Sequence, residues 1–203
     1  MDAGRVRGLY GIADAEASGG DPVRIGAALL DGGCRLIQLR AKGWSPDAVV
    51  AAGRALRSRC DAVGAALVAN DDPQVARAYG ADGVHLGQTD GPVAAARRAA
   101  PGLWVGRSCN DLAQLAEAAA EGADYLAFGP VFDTEHLSRP KATRGLAALA
   151  EARRRTTLPL VAIGGITADR LAAVRATGVD AWAVIGAVCR AADPVSATRA
   201  LCP

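Results

Sequence analysis

Gly122-Ala-Asp-Tyr-Leu-Ala-Phe-Gly129 is one of three stretches written to a single plan, beside Gly80-Ala-Asp-Gly-Val-His-Leu-Gly87 and Gly178-Val-Asp-Ala-Trp-Ala-Val-Ile-Gly186. Each has a Gly, an Asp two residues on, a short apolar run and a closing Gly. A Gly at the first position suits the left-handed residue that ends a helix. The apolar run reads as a strand buried on both faces, and the second Gly opens the loop after it.

Working outward, further strands are expected at Leu9–Ile12, Leu36–Leu39, Ala66–Ala69, Leu103–Gly106 and Leu160–Ile163. Alanine-rich segments fill most of the gaps. Leu112, Leu115, Ala116 and Ala119 fall at i, i+3, i+4 and i+7, one stripe of an amphipathic helix. Eight β units alternating with helices in 203 residues match the smallest α/β chain that closes into a (β/α)8 TIM barrel. A doubly wound open sheet would need fewer strands for its helices. No linker or composition shift marks a boundary, so residues 1–203 are expected to form one TIM-barrel domain.

The charge balance, 23 Lys and Arg against 21 Asp and Glu, leaves +2, which points to no nucleic-acid partner. Arg97-Arg98 and Arg153-Arg154-Arg155 read as solvated helix faces. The five cysteines make no CxxC pair, and with His85 and His136 the sole histidines a zinc cluster is not expected. The start of the chain, MDAGRVRGLYGIAD, lacks the apolar core of a signal peptide, and no apolar run would span a bilayer. A cytoplasmic protein with reduced thiols and no membrane partner is the expectation; a homo-oligomer is left open.

In a TIM barrel the chemistry sits on the loops that follow the strands. After the second strand stands Gln38-Leu-Arg-Ala-Lys42, where alternation puts Gln38 and Arg40 on one face. Cations there are costly to bury without an anion: either a bound phosphate or an internal salt bridge compensates them. After the third stands Asn70-Asp71-Asp72-Pro73, in which Asp72 and Pro73 read as a helix start. Asp71 could meet Asp90 from the next loop and share one magnesium ion. Ser108, after the fifth strand, either contacts a ligand or caps a helix, and Cys109 reads as buried filler. The loop after the sixth strand is the longest and carries Thr134, His136, Arg139 and Lys141. Gly164-Gly165-Ile166-Thr167 and Ile185-Gly186-Ala187 would bring backbone N–H groups to a phosphate. Two anion corners suggest a reaction that joins or rearranges two phosphorylated pieces.

These residues together resemble the thiamine-phosphate synthase family: Gln38-Leu-Arg-Ala-Lys42, Asn70-Asp71, Gly80 to Asp90, Gly129-Pro-Val-Phe-Asp-Thr134 and Ala162-Ile-Gly-Gly-Ile166. The likeness runs from about Leu9 to Val188 and is most specific from Gly80 to Asp90. It implies a transferase of thiamine biosynthesis that condenses 4-amino-2-methyl-5-(diphosphooxymethyl)pyrimidine with a thiazole phosphate, releasing pyrophosphate. It further implies that Gln38, Arg40, Lys42 and Asn70 hold the pyrimidine diphosphate and that Asp71 and Asp90 bind Mg2+. Ser108 would contact the diphosphate or pyrimidine. Arg40, Lys42 and Ser108 are the implied catalytic set. Thr134, His136, Gly165, Ile185 and Gly186 fall to the thiazole phosphate and the substrate-covering loop.

Three positions depart from the family pattern. A Lys that grips pyrophosphate is replaced by Leu137, a His two residues past the Ser is replaced by Asn110, and a Ser in the loop after the eighth strand is replaced by Gly186, which matters less because backbone donates there. Taking one charged group away from a developing anion costs about 2–4 kcal/mol. Two alternatives therefore stay open: a non-catalytic paralogue that binds thiamine precursors, and the related thiazole tautomerase.

Overall fold

The computed structural model describes residues 3–134 and 142–202. Its strands are β1 (Gly8–Asp14), β2 (Leu36–Arg40), β3 (Ala66–Asn70), β4 (Gly83–Leu86), β5 (Trp104–Cys109), β6 (Tyr125–Phe128), β7 (Leu160–Ile163) and β8 (Ala181–Val184). All pair in parallel in chain order, and β8 closes onto β1 with Ala181 opposite Gly8, giving a closed barrel. The expected (β/α)8 TIM barrel is what forms. Around it lie α1 (Pro22–Asp31), α2 (Pro46–Val63), α3 (Pro73–Ala78), α4 (Val93–Ala99), α5 (Leu112–Ala120), α6 (Gly145–Arg155), α7 (Leu171–Ala176), α8 (Gly186–Cys189) and α9 (Pro194–Leu201). Among the described residues no helix is long and apolar enough to cross a membrane.

Strand alternation divides the apolar residues into two cores. Tyr10, Ile12, Val68, Tyr125, Ala127 and Val161 point inward and fill the barrel, while Leu9, Ile37, Leu67, Val84, Leu126 and Ala162 face the helices. The interior mixes large and small side chains: a Cβ at Gly106 would overlap the Tyr125 ring, so the glycine makes room for the tyrosine. The helices start as the sequence dictates. Asp21, Ser45, Asp72, Asp111 and Asp193 each accept a first-turn N–H, and Pro22, Pro46, Pro73 and Pro194 occupy the position after the cap in α1, α2, α3 and α9.

The repeated Gly-x-Asp plan has a structural explanation. Gly80, Gly122 and Gly178 have φ of 74°, 83° and 82°, the left-handed turn out of the preceding helix. The Asp that follows grips the neighbouring strand at its N-terminal end. Asp82, Asp124 and Asp180 accept from the N–H groups of Leu67, Val105 and Leu160 at 2.8, 2.7 and 2.8 Å. Each carboxylate also meets an arginine: Arg57 on Asp82 at 2.7 Å, Arg97 on Asp124 at 3.0 Å, and Arg153 on Asp180. At the corresponding place before β2, Gly33-Cys-Arg-Leu36 puts Arg35 where the other turns have Asp. The clamp therefore recurs at every second strand along three quarters of the barrel.

Two expectations are corrected here. Arg97 and Arg153 are anchors of these clamps rather than plain solvated charges; Arg154 and Arg155 do lie on an exposed face, paired with Glu151. In α5 the buried stripe is Leu115, Ala118 and the partly buried Ala119, whereas Leu112 and Ala116 are exposed. A helix so rich in Ala carries little apolar contrast around its circumference, so where it packs on the barrel sets its phase.

Candidate active site

The C-terminal ends of the strands open into a cavity of about 590 Å³. Gln38, Arg40, Lys42, Asn70, Asp71 and Ser108 line one side, and Thr134, Gly165, Ile185 and Gly186 the other. His136 lies outside the described residues, as do Leu137, Arg139 and Lys141.

Inward alternation delivers the first group. Gln38 is 2 % exposed, inside the barrel, and Arg40 stands one step nearer the mouth. Asp14, opposite Arg40 in the β1–β2 register, is also 2 % exposed and forms an ion pair with its guanidinium. Of the two compensations weighed for Arg40, the internal salt bridge is thus present in the structure. The pair leaves the guanidinium at the cavity wall, its orientation fixed by a carboxylate that also accepts from the Ala17 N–H at 2.7 Å. Asp14 was legible by the same rule, a charge at the inward end of a strand, and was missed.

Lys42 reaches Asp71 at 3.3 Å. Asp71 is the one non-glycine residue with positive φ among the described residues, at 67°, a conformation that costs energy and turns its carboxyl toward the next loop. There it is hydrogen-bonded to Asp90, itself fixed by the Gly87 N–H at 2.7 Å. Burial pushes Asp71 up to about 6, reinforced by the hydrogen bond and charge of Asp90 and opposed by Lys42. Burial acts on Asp90 in the same sense but is outweighed by hydrogen bonds from Asp71 and the Gly87 amide and by Lys42, so Asp90 lies below its ordinary value. Below about pH 6 the pair therefore holds one proton, with Asp71 as the acid. Two carboxyl groups pressed together over a proton form an oxygen donor set that fits a hard divalent cation in the proton's place. Among the described residues no group of three His, Cys, Asp or Glu could hold a metal, so water and ligand oxygens would have to complete such a site.

Beneath these charges runs a polar chain across the barrel. The Gln38 amide donates to the Tyr10 hydroxyl at 2.8 Å, Tyr10 and Tyr125 share a hydrogen bond of 3.0 Å, and Tyr125 meets His85 Nδ1 at 3.0 Å. His85 Nε2 lies 2.9 Å from Ser108 Oγ. Burial drives His85 down to about 4, with Arg107 adding to the shift, so the ring is neutral near pH 7. Tyr10, Tyr125 and His85 had no place in the sequence reading of the site. Ser108 is no helix cap: Asp111 caps α5, and Ser108 faces the cavity. Cys109 is buried and its thiol is pushed up to about 12 by desolvation, which makes it an inert filler as expected. Asn110 lines the cavity and donates through Nδ2 to Gln114.

On the far side, Gly164 and Gly165 adopt φ of 104° and 64°. Packing requires both glycines. A Cβ on Gly164 would strike Pro130, and one on Gly165 would strike Phe132 and the Asp133 carbonyl, because the loop after β6 lies directly on them. That loop is tied down by Val131 N–H to Ile163 O at 2.9 Å and Phe132 N–H to Gly164 O at 3.0 Å, which fixes the approach to Thr134. The helix after β7 begins only at Leu171, several residues beyond the glycines. Arg170 donates to the Gly165 carbonyl at 2.6 Å, stacks 4.7 Å from the Phe132 ring centroid and lines the cavity, a cation that sequence reasoning missed.

Comparison with known proteins agrees with this layout. The family model described as thiamine monophosphate synthase matches residues 9–188. The thiamine-phosphate synthase of Laribacter hongkongensis is 44 % identical over 196 residues, covering 95 % of this chain and 92 % of the relative. That of Anaeromyxobacter dehalogenans is 46 % identical over 195 residues, covering 95 % and 85 %. Among solved structures, a thiamine phosphate pyrophosphorylase from Pyrococcus furiosus superposes with a TM-score of 0.90 at 36 % identity, covering 98 % of this chain and 95 % of that one. A 3-hexulose-6-phosphate synthase, at TM-score 0.71 and 19 % identity, shares the fold alone.

Proposed function

The chain belongs to the thiamine monophosphate synthase family, and we propose that it is a transferase that makes thiamine phosphate from the pyrimidine diphosphate and the thiazole phosphate, releasing pyrophosphate. One observation carries the reading: a single cavity is lined by Asp71, which is hydrogen-bonded to Asp90, and by the Arg40 and Lys42 cations, together with a glycine-built corner at Gly165 and Gly186. The first group suits a diphosphate and the second a monophosphate.

In the proposed reaction the bond from the pyrimidine methylene carbon to the diphosphate oxygen breaks, its electron pair leaving with pyrophosphate. The lone pair of the thiazole nitrogen then forms the new carbon–nitrogen bond. No proton need move, which suits a site whose one described histidine is neutral and engaged at both ring nitrogens. Arg40, held by Asp14, and Lys42 would neutralise charge growing on the leaving group. Asp71 and Asp90 would hold Mg2+, which when bound supplies further positive charge to the diphosphate oxygens. Asn70 and Gln38 would orient the pyrimidine and Thr134, Gly165, Ile185 and Gly186 the thiazole phosphate, so that proximity supplies part of the rate. The tautomerase reading is disfavoured by Asn110, whose carboxamide cannot carry a proton as an imidazole does. Cytoplasmic reduced thiols agree with the five free cysteines.

The test is to incubate the purified chain with both phosphorylated precursors, with and without magnesium, and to follow pyrophosphate. Magnesium-dependent release is expected. Binding of both precursors without release would make the chain a non-catalytic binder, and conversion of the thiazole alone would make it a tautomerase.

A further inference from the structure

The polar chain under the cavity has a direction. Gln38 Nε2 donates to the Tyr10 oxygen, which leaves Tyr10 with its one proton to give. Tyr10 is 2 % exposed, and Tyr125 is the acceptor within reach, at 3.0 Å. Were Tyr125 the donor instead, the Tyr10 proton would lack a protein acceptor among the described residues, a loss that buried hydroxyls rarely bear. Tyr125 must then pass its own proton to His85 Nδ1. A neutral imidazole that accepts at Nδ1 carries its hydrogen on Nε2, which donates to Ser108 Oγ. The Ser108 hydroxyl, its oxygen already engaged, turns its hydrogen to the cavity. At the other end, the Gln38 amide oxygen remains as an acceptor.

We infer that Tyr10, Tyr125 and His85 are positioning residues that commit Ser108 to donate toward the bound pyrimidine diphosphate. The specificity consequence is polar. The site takes a ligand that offers an acceptor at Ser108 and penalises one that offers a donor alone there, because the Ser108 hydrogen would then be left unpaired. The inference rests on the proposed function only in the choice of probe; the direction of the chain is a property of the protein alone.

The experiment reads the tautomer directly. The full chain is labelled with 15N-histidine, and His85 is assigned by comparison with His136→Gln. Long-range proton–nitrogen correlation spectra at neutral pH report which ring nitrogen is protonated. We expect Nε2–H with a bare Nδ1 in the unliganded protein. In Tyr125→Phe, which keeps the ring and removes the proton donor, His85 is expected to become a mixture of tautomers. Affinity for the pyrimidine diphosphate, measured by calorimetry, should fall about fivefold to tenfold, the worth of one misdirected hydrogen bond. His85→Gln, whose amide can donate to Ser108, should bind more tightly than His85→Leu. A proton on Nδ1 in the unaltered chain, or unchanged affinity in Tyr125→Phe, would overturn the relay even if the protein makes thiamine phosphate. Absence of turnover with the Nε2–H tautomer intact would sink the proposed function and leave the relay standing.

Discussion

Removing the clamp carboxylates one at a time should rank the three clamps by how deeply each buries its arginine. In Asp82→Ala the Leu67 N–H loses a charged acceptor at 2.8 Å in a fully buried strand, a loss of about 1–3 kcal/mol. Arg57, its side chain 18 % exposed, also loses its partner at 2.7 Å and keeps the exposed Asp61 at 2.8 Å. A largely desolvated guanidinium left with the exposed Asp61 and the Ala65 carbonyl at 3.2 Å adds about 1–2 kcal/mol, well short of the figure for a fully buried pair. The sum is about 2–5 kcal/mol. In Asp124→Ala the amide loss at Val105 is the same, but Arg97 is 42 % exposed, and an ion pair that open is worth at most about 1 kcal/mol. That variant should lose about 1–4 kcal/mol, about 1 kcal/mol less than Asp82→Ala through the arginine share alone, with Asp180→Ala between the two because Arg153 is 20 % exposed and Asp180 41 %. Urea unfolding with fixed m reads the order. Pyrophosphate release by the surviving folded protein should stay within about twofold of the unaltered chain, since these residues lie at the barrel end opposite the cavity. Equal costs for Asp82→Ala and Asp124→Ala would refute the ranking by arginine burial, and selective loss of turnover without loss of stability would refute the purely structural role.

Stability should also fall in acid because of His85. Its folded value lies near 4 and its unfolded value near 6.5, so between them the unfolded chain binds the extra proton. The His85 contribution is therefore level above about pH 6.5 and declines below it, by about 3 kcal/mol on reaching pH 4, while the raised Asp71 carboxyl works in the opposite sense below about pH 6 because it binds its proton more tightly when folded; His85→Gln removes only the first contribution, and a variant whose pH profile keeps the slope of the unaltered chain would contradict this. Asp71→Asn should abolish magnesium-dependent pyrophosphate release while the fold persists, since Asn accepts positive φ at least as readily as Asp; retained activity rejects the metal role. Cys109→Ala should leave turnover unchanged, and native Cys109 should resist alkylation at pH 8 because its thiol titrates near 12; rapid labelling of the folded chain would count against its burial.

Much of the barrel was legible because short two-faced strands leave a strong mark. Leu160–Ile163 is bounded by Pro159 and Gly164 and is found at the residues expected, whereas β1 and β5 run past their apolar cores to Asp14 and Cys109. Those extensions are polar, and apolar periodicity cannot see them. They are also where the site begins, which is why Asp14 was overlooked while Arg40, its register partner, was not. The relay was hidden for a different reason. Tyr10, His85 and Tyr125 stand 75 and 40 residues apart in sequence and meet only because alternation turns each inward at one level of a closed barrel. Aromatic residues in strands read as core, and in this case the rings are core while the hydroxyls are not.

The same residue type serves opposite purposes at the two ends of this barrel, and its position relative to a strand tells which. Asp82, Asp124 and Asp180 immediately precede β4, β6 and β8, so they lie at the N-terminal rim and bond to backbone and arginine. Asp14 ends β1 and Asp71 follows β3, so both lie at the C-terminal mouth. The rim carboxylates hold bonds of 2.7–2.8 Å to strand N–H groups in a backbone geometry that costs nothing unusual. At the mouth, Asp71 bears a positive φ, a raised proton affinity and a carboxyl neighbour, three penalties in one residue. A chain selected for stability alone would have relieved them with Asn or Gly. Strain kept at the mouth and absent at the rim is what the proposed function expects of a carboxylate held for binding a ligand rather than for folding.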